Sequence, residues 1–267
     1  MKNSLGKGIV AALILLCCIP SLRSQEARDS VLWNDWDFRV SPYFWFIGLK
    51  GEINRPPFPV NPVEPPPPKY EVDVGFQDIR NSIKFALMLA GQYRGGRVVA
   101  QFNFSSLILE SEAITPLELL LQNNIINLTY FGGDLEAGYR VIRNPKFELD
   151  ALVGLKFFYF GIDLSTIVGG GVPVKGAREK GWIDPTLALN VRYYPHKRLS
   201  FVGFGDIGIP GIGSDFSSQF ITMVQYHFTK TFFTSMGYRS YFLKIPEDEA
   251  IFNGQLQGWI ARLGFQF

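Results

Sequence analysis

The chain has 267 residues, of which 47% are hydrophobic and 15% aromatic, with 26 basic and 24 acidic side chains. Because the formal charge is only +2, no basic patch for nucleic acid is indicated. After the N-terminal region no run of about 18 uncharged apolar residues occurs, so a helical membrane protein is excluded. The 24 Phe and 11 Tyr are typical of a barrel that turns an apolar face to lipid, with an aromatic girdle at each interface.

Residues 1–24 have the layout of a secretory signal peptide. Lys2 and Lys7 precede an uncharged apolar run over residues 9–19. A polar segment with small residues follows, and cleavage is predicted after Ser24. The apolar run is too short for a helix that would remain in a membrane.

Both cysteines of the chain, Cys17 and Cys18, lie within the predicted signal. Acylation of one of them would make a lipoprotein, an alternative that the lack of a small residue directly before them disfavours. Cleavage leaves residues 25–267 as one predicted barrel domain, with 23 basic and 24 acidic side chains. Without a thiol this domain has no disulfide, thiolate metal ligand or cysteine nucleophile, and no cofactor is predicted.

Alternating apolar and polar residues predict an all-β chain. Ten strands are predicted, over residues 37–53, 83–94, 97–109, 125–140, 147–164, 182–194, 199–208, 216–228, 232–243 and 254–267. Each reaches about the 9–11 residues that a tilted strand needs to cross a bilayer. The predicted fold is a single antiparallel up-and-down transmembrane β-barrel. Eight or twelve strands are the alternatives, because strand boundaries are the least certain part of such a prediction.

The predicted connections alternate between short turns and longer loops, which places both termini in the periplasm. The first loop contains residues 54–69, where eight of sixteen residues are proline, and the sequence does not determine its role. Residues 70–80 belong to the same predicted loop, with a helical turn at 77–80. A short helix is predicted at 115–121, where a proline follows a capping threonine. A Gly-rich loop is predicted at 168–181.

Three groups of residues carry a resemblance to a known family. They are Ser41-Pro-Tyr-Phe-Trp45, the run from Asp184-Pro185 through Gly205-Asp-Ile-Gly208 to Gly211-Ile-Gly-Ser-Asp215, and Gly237-Tyr-Arg239 with the ending Gly258 to Phe267. Together they resemble a family of uncharacterised bacterial outer-membrane β-barrel proteins over most of the mature chain. The resemblance implies the fold and a location in the outer membrane of a Gram-negative bacterium, and it implies no activity. The proline-rich stretch 54–69 departs from the family.

The last predicted strand is apolar at every second residue from Trp259 to Phe267. This pattern is typical of a closing strand with one face toward lipid. By resemblance to outer-membrane proteins in general, Leu263, Phe265 and Phe267 are expected to form the signal that the barrel-assembly machinery recognises.

Charged residues on the faces opposite the apolar ones are expected to line the lumen, because a charge facing lipid at the bilayer midplane costs about 2–4 kcal/mol. The predicted inward set is Lys84, Arg94, Arg97, Glu136, Arg140, Glu148, Asp150, Lys156, Asp184, Arg192, Asp206, Arg239 and Arg262. A barrel of about eight strands is filled by its own side chains. These charges are therefore expected to form an ion-paired network, in which Arg239 and Arg262 pair with carboxylates such as Asp206 or Asp184.

No catalytic or metal site is predicted. Catalysis needs a base within reach of a nucleophile or an activated water. The two histidines, His196 and His227, fall at or beside short turns, without a Ser or Asp partner at the same depth. The glycines of residues 203–213 are not followed by a helical pattern, which a phosphate-binding loop requires.

The sequence therefore predicts a monomeric outer-membrane barrel that is not an enzyme. Its role is either structural or the passage of small polar solutes through a narrow charged lumen. A soluble periplasmic lipid-binding barrel and an outer-membrane lipid-modifying enzyme are the alternatives. The expected partners are outer-membrane lipids and the barrel-assembly machinery, with no nucleic acid. The sequence does not determine the solute or whether the lumen is open.

Overall fold

The computed structural model describes residues 36–53, 70–111, 122–168, 172–246 and 252–267. The predicted signal peptide, the proline-rich stretch 54–69 and the helix predicted at 115–121 lie outside these residues. Among the described residues, no helix has both the length and the apolar character needed to cross a membrane.

Strands make up most of the described chain. They are β1 (Trp36–Ile53), β2 (Tyr70–Val74), β3 (Ile83–Gly95), β4 (Val98–Ser111), β5 (Gln122–Arg143), β6 (Phe147–Val168), β7 (Val172–His196), β8 (Leu199–Gly208), β9 (Phe216–His227), β10 (Phe232–Lys244) and β11 (Phe252–Gln266). The short helix α1 (Phe76–Ile79) and a 3-10 turn (Arg80–Ser82) lie between β2 and β3, where a helical turn was expected.

The strands form one antiparallel sheet that closes on itself. Neighbours follow chain order from β3 to β11, and β11 pairs with β1 from Arg39↔Gln266 to Ile53↔Phe252. Strand β1 also pairs with β3, so ten strands complete the ring. Strand β2 pairs with β1 alone among the described strands. The prediction of a ten-stranded antiparallel barrel is confirmed.

The two ends of the barrel differ. One end, called the turn end here, carries short connections, the start of β1 and the end of β11. One of its two-residue connections is the turn at Gly96, whose φ of 57° favours glycine because a side chain is strained in that conformation. The opposite end, called the loop end, carries the longer connections and also the short one between β6 and β7.

The two faces of the wall differ in polarity. Each of the ten ring strands places exposed apolar side chains on the outside, among them Phe38, Leu87, Ile108, Leu135, Val153, Ile183, Ile207, Phe220, Met236 and Trp259. Alternate residues face inward, and many of the buried ones are charged or polar. A soluble lipid-binding barrel would have the reverse arrangement.

The Gly-rich stretch at 168–181 is largely strand, so the predicted loop there was wrong. Pairing between β6 and β7 continues from Phe147↔Tyr193 to Val168↔Val172. Strand β8 pairs with β7 only from Thr186 toward the turn end, so β6 and β7 extend beyond it. Inter-strand hydrogen bonds outweigh the low strand propensity of glycine, which had suggested a loop.

Strand β1 changes partner partway along its length. Residues 36–42 pair with β3, and residues 49–53 pair with β2. Between them, residues 43–48 have no strand on that side among the described residues, and we call this gap the seam. Helix α1 fills it: the Phe76 ring packs against that of Phe46, with centroids 5.0 Å apart, and the buried side chain of Ile79 adds to the core.

Candidate functional site: the barrel lumen

The loop-end half of the lumen is filled by buried aromatic side chains, called the aromatic layer here. Phe158 stacks on Tyr241 with ring centroids 4.8 Å apart, and Phe160 stacks on Trp182 at 6.1 Å. Phe252 of β11 lies 6.3 Å from Phe160. Because these residues come from four strands, the layer packs across the whole lumen.

A chain of hydrogen bonds, called the polar belt here, runs around the lumen on the turn-end side of the aromatic layer. Its members, in order of contact, are Asp134, Asn103, Tyr43, Arg239, Gln219, Asp206 and Lys156. The Tyr43 hydroxyl donates to Asn103 Oδ1 at 2.5 Å and accepts from Arg239 Nη1 at 3.1 Å. Lys156 is the register partner of Asp134 across β5 and β6, so the two ends of this chain of hydrogen bonds lie on neighbouring strands.

Arg239 and Arg262 both lie on aromatic rings. The guanidinium carbon of Arg239 is 4.4 Å from the ring centroid of Trp45, and that of Arg262 is 5.2 Å from the ring centroid of Tyr43. A guanidinium over an aromatic face is attracted by the negative charge of the ring, most strongly when both groups are shielded from water.

The carboxylates expected to pair with these arginines have other partners. Asp206 accepts from Lys156 Nζ. Asp184 accepts from the Ser214 backbone N–H at 2.8 Å, the Ser214 hydroxyl at 2.7 Å and the Ser217 hydroxyl at 2.6 Å. The predicted pairing of Arg239 and Arg262 with these two aspartates is therefore not found.

Two glycines make room around Asp184. A Cβ at Gly208 would collide with the Ser217 hydroxyl, and one at Gly213 would collide with the Asp184 carboxylate. Gly213 also has a φ of 84°, which disfavours any other residue. The Asp184-Pro185 and Gly211-to-Asp215 motifs of the sequence thus form one structural unit that holds the connection between β8 and β9.

Seven charged side chains form a buried group at the turn end, called the turn-end cluster. They are Asp37, Arg39, Arg94, Arg140, Glu148, Asp150 and Arg192. Arg94 bridges Asp37, at 3.5 Å, and Glu148. Arg140 lies 3.6 Å from Glu148 and 3.2 Å from Asp150. The cluster holds four cations and three anions.

A cavity of about 90 Å³ lies between the polar belt and the turn-end cluster. One part of its wall is charged, with Arg39, Arg192 and Asp134. Another part is apolar and includes Val202 and Ile221. Charged and apolar walls therefore face the same free volume in this part of the lumen.

Most of the residues predicted to face the lumen are buried there: Arg94, Glu136, Arg140, Glu148, Asp150, Lys156, Asp184, Arg192, Asp206 and Arg239. Arg262 lines the cavity. The prediction missed three buried charges, Asp37, Arg39 and Asp134. The first two alternate along the start of β1 and could have been found from that pattern.

Lys84 and Arg97 do not face the lumen. The pairing of β3 with β4 shifts register between Ile83 and Phe85, which makes Lys84 the extra residue of a bulge. Its exposed side chain pairs with Glu110. Arg97 is exposed beside the turn at Gly96, on the turn-end edge of the wall.

The two histidines lie apart from the belt. His227 is buried, and its Nε2 is 2.6 Å from Gln225 Nε2. His196 lies in the exposed turn between β7 and β8, where its Nδ1 accepts from the Arg198 backbone N–H at 3.3 Å. No group of three His, Asp or Glu residues in the described part of the chain has the arrangement of a metal site.

A closed antiparallel ring of ten strands, apolar outside and charged within, defines a transmembrane β-barrel of the outer-membrane class. No protein-family model matches the chain, and no curated protein matches it.

Several solved structures are similar in fold. The outer-membrane protease OmpT of Escherichia coli is 8% identical, with a TM-score of 0.47, over 92% of this chain and 99% of that one. The attachment invasion locus protein Ail of Yersinia pestis is 8% identical, with a TM-score of 0.35, over 87% and 98%. The toluene transporter TodX of P. putida is 8% identical, with a TM-score of 0.33, over 91% and 92%. The assignment to the class rests on the closure and the faces of this chain itself.

Proposed function

We propose that this protein is an outer-membrane barrel without enzymatic activity whose lumen is closed to bulk solutes at rest. The packing of the aromatic layer across the loop-end half carries this proposal, because Tyr241 and Phe158 from opposite parts of the ring stack at 4.8 Å. The polar belt supports the proposal by adding a second layer of inward side chains on the turn-end side. Barrels of about eight strands are filled by side chains, and open aqueous channels occur at about 16–18.

The apolar outer face of the barrel supports two further parts of the proposal, contact with lipids and a monomeric state. The apolar outside suits direct contact with outer-membrane lipids around the whole ring. We propose a monomer for this reason, with insertion by the barrel-assembly machinery.

Conductance across a planar lipid bilayer tests the closed lumen. The unmodified protein should give no steady current, with at most small flickering events. Tyr241→Ala should raise the current because it removes a stacked ring from the aromatic layer. Phe242→Ala is the matched control, since the neighbouring Phe242 is 41% exposed on the outside. A large, steady current through the unmodified protein would instead indicate a general porin.

Slow passage of small polar solutes is the second candidate, and the cavity between the polar belt and the turn-end cluster favours it. Liposomes that contain the protein should then swell slowly in a solution of a small polar solute, and they should not swell in a solution of a disaccharide. Equal exclusion of all solutes would leave the purely structural role.

A further inference from the structure

The charged wall of the cavity is strongly cationic. Among its described residues, three arginines, Arg39, Arg192 and Arg262, face one carboxylate, Asp134. That carboxylate already accepts from the Asn103 amide at 3.1 Å. The lining therefore carries two more positive than negative charges, although Arg39 also pairs with Asp37, which lies outside the lining.

All three arginines have at least one buried side-chain nitrogen without a hydrogen-bond acceptor, which in Arg262 is Nε. Both terminal nitrogens of Arg39, Nη1 and Nη2, lack one, although Nε lies 2.9 Å from Asp37 Oδ1. Arg192 donates through Nη2 to Gln92 Oε1 at 3.1 Å, but its Nε and Nη1 have no acceptor. The two residues are 4% and 6% exposed. Burying a charged donor without an acceptor is costly, so these atoms need an acceptor, either water or a bound anion, and both residues line the cavity.

The rest of the wall selects among acceptors. Val202, Phe204, Ile221, Met223 and Phe233 form an apolar surface on the same cavity. An inorganic anion would leave this surface in contact with water. A molecule with one anionic end and a short apolar tail would contact both walls.

The volume sets the size of that molecule. A cavity of about 90 Å³ is smaller than one of about 150 Å³, which holds benzene. The planar guanidinium group of an arginine matches the two oxygens of a carboxylate. Two such groups, those of Arg39 and Arg192, can donate charge-assisted hydrogen bonds to one carboxylate.

We propose that the cavity binds a monocarboxylate of about two to four carbons. Its carboxylate accepts from Arg39 and Arg192, and its tail lies against Val202, Phe204 and Ile221. The site gives the small-solute role proposed above a chemical class of solute, and it rests on the proposed function only in requiring that the lumen is not a wide open pore.

Calorimetric titration of the protein, folded in detergent micelles, with sodium butyrate in a constant chloride background tests the site. Saturable binding with a stoichiometry of one is expected, tighter for butyrate than for acetate because its tail is longer. Arg39→Gln should weaken it about tenfold or more, the size of a charged hydrogen bond. Arg198→Gln is the matched control, since Arg198 lies in an exposed turn.

A second variant keeps every charge. Val202→Phe fills part of the cavity and should weaken butyrate binding while leaving the arginines in place. Heat-modifiable mobility on gels establishes that each variant is folded. No saturable binding of butyrate by the folded unmodified protein overturns the site, as does equal competition by chloride or phosphate. A closed lumen in the bilayer with no butyrate binding overturns this inference alone, whereas a steady large current overturns the proposed function.

Discussion

Two lysines show how position determines what an ion pair contributes to stability. Lys156 pairs with Asp206 where both side chains are almost fully buried. Lys84 pairs with Glu110, but its side chain is 56% exposed. Water screens the exposed pair, whereas the buried carboxylate would be left without its cation if the lysine were removed.

Replacement of each lysine by alanine should therefore have different effects. Lys156→Ala is expected to lower the free energy of unfolding by about 3–5 kcal/mol. Lys84→Ala should lower it by less than about 1 kcal/mol. Urea unfolding of the protein folded in lipid vesicles measures both, and equal losses would contradict the buried pair.

Residue alternation predicted the inward direction of three of the seven belt residues but not their partners. The pattern placed Lys156, Asp206 and Arg239 inside because the side-chain period of a strand is two. It did not predict that Arg239 would bind Tyr43, 196 positions away, since closure of the ring brings them together. The prediction that Lys84 points inward was wrong, because a bulge changes the side-chain period locally.

At the scale of elements, the seam is the part of the wall where β1 lacks a second strand partner among the described residues. At one point the side chain of Met88 takes the place of a strand, where its sulfur accepts from the Trp45 backbone N–H at 3.3 Å. Helix α1 closes the remainder through side-chain packing. Its contribution therefore depends on apolar contacts and not on a ladder of backbone hydrogen bonds.

Ile79→Ala should consequently destabilise the barrel by about 2–5 kcal/mol, because Ile79 is 1% exposed and its truncation leaves a cavity. Ile212→Ala provides the control, since Ile212 is 52% exposed between β8 and β9. The same vesicle unfolding measurement applies. If the two variants lose equal stability, α1 does not support the wall.

The sequence predicted the strands better than the contents of the loop-end half. Alternation from Lys156 gives Phe158 and Phe160 an inward direction, but the run 157–160 is aromatic on both faces, so the sequence did not show that these two rings pack into a layer. The aromatic layer was missed for this reason. The long pairing of β6 with β7 was missed because glycine composition resembles that of a loop.

At the scale of the whole molecule, the last residue takes part in the closure of the ring. The Phe267 backbone N–H donates to Phe38 O at 2.9 Å, and its carbonyl accepts from the Phe38 N–H at 3.2 Å. Its side chain is 63% exposed on the outer face. Phe267 can therefore act both in the ring and as a recognition signal.

Deletion of Phe267 should lower the yield of folded, membrane-inserted protein in cells if the assembly machinery reads this residue. Refolding of the same variant in detergent should be affected much less, because two hydrogen bonds are a small part of the sheet. Phe228→Ala, at an exposed aromatic of the same end, is the control. Normal cellular levels of heat-modifiable protein after the deletion would count against the signal.

The pairing of β1 with β11 also limits the order in which the chain can fold. Strand β1 shares thirteen register pairs with β11 and seven with β3. The contacts of β1 with β11 therefore become available only after β11 has been synthesised. Bringing together two strands so far apart in the sequence carries an entropic cost. Until then the growing sheet keeps two unpaired edges, which favour aggregation, and the many distant contacts slow folding. A chaperone that holds the exported chain until β11 has arrived would protect it during this interval.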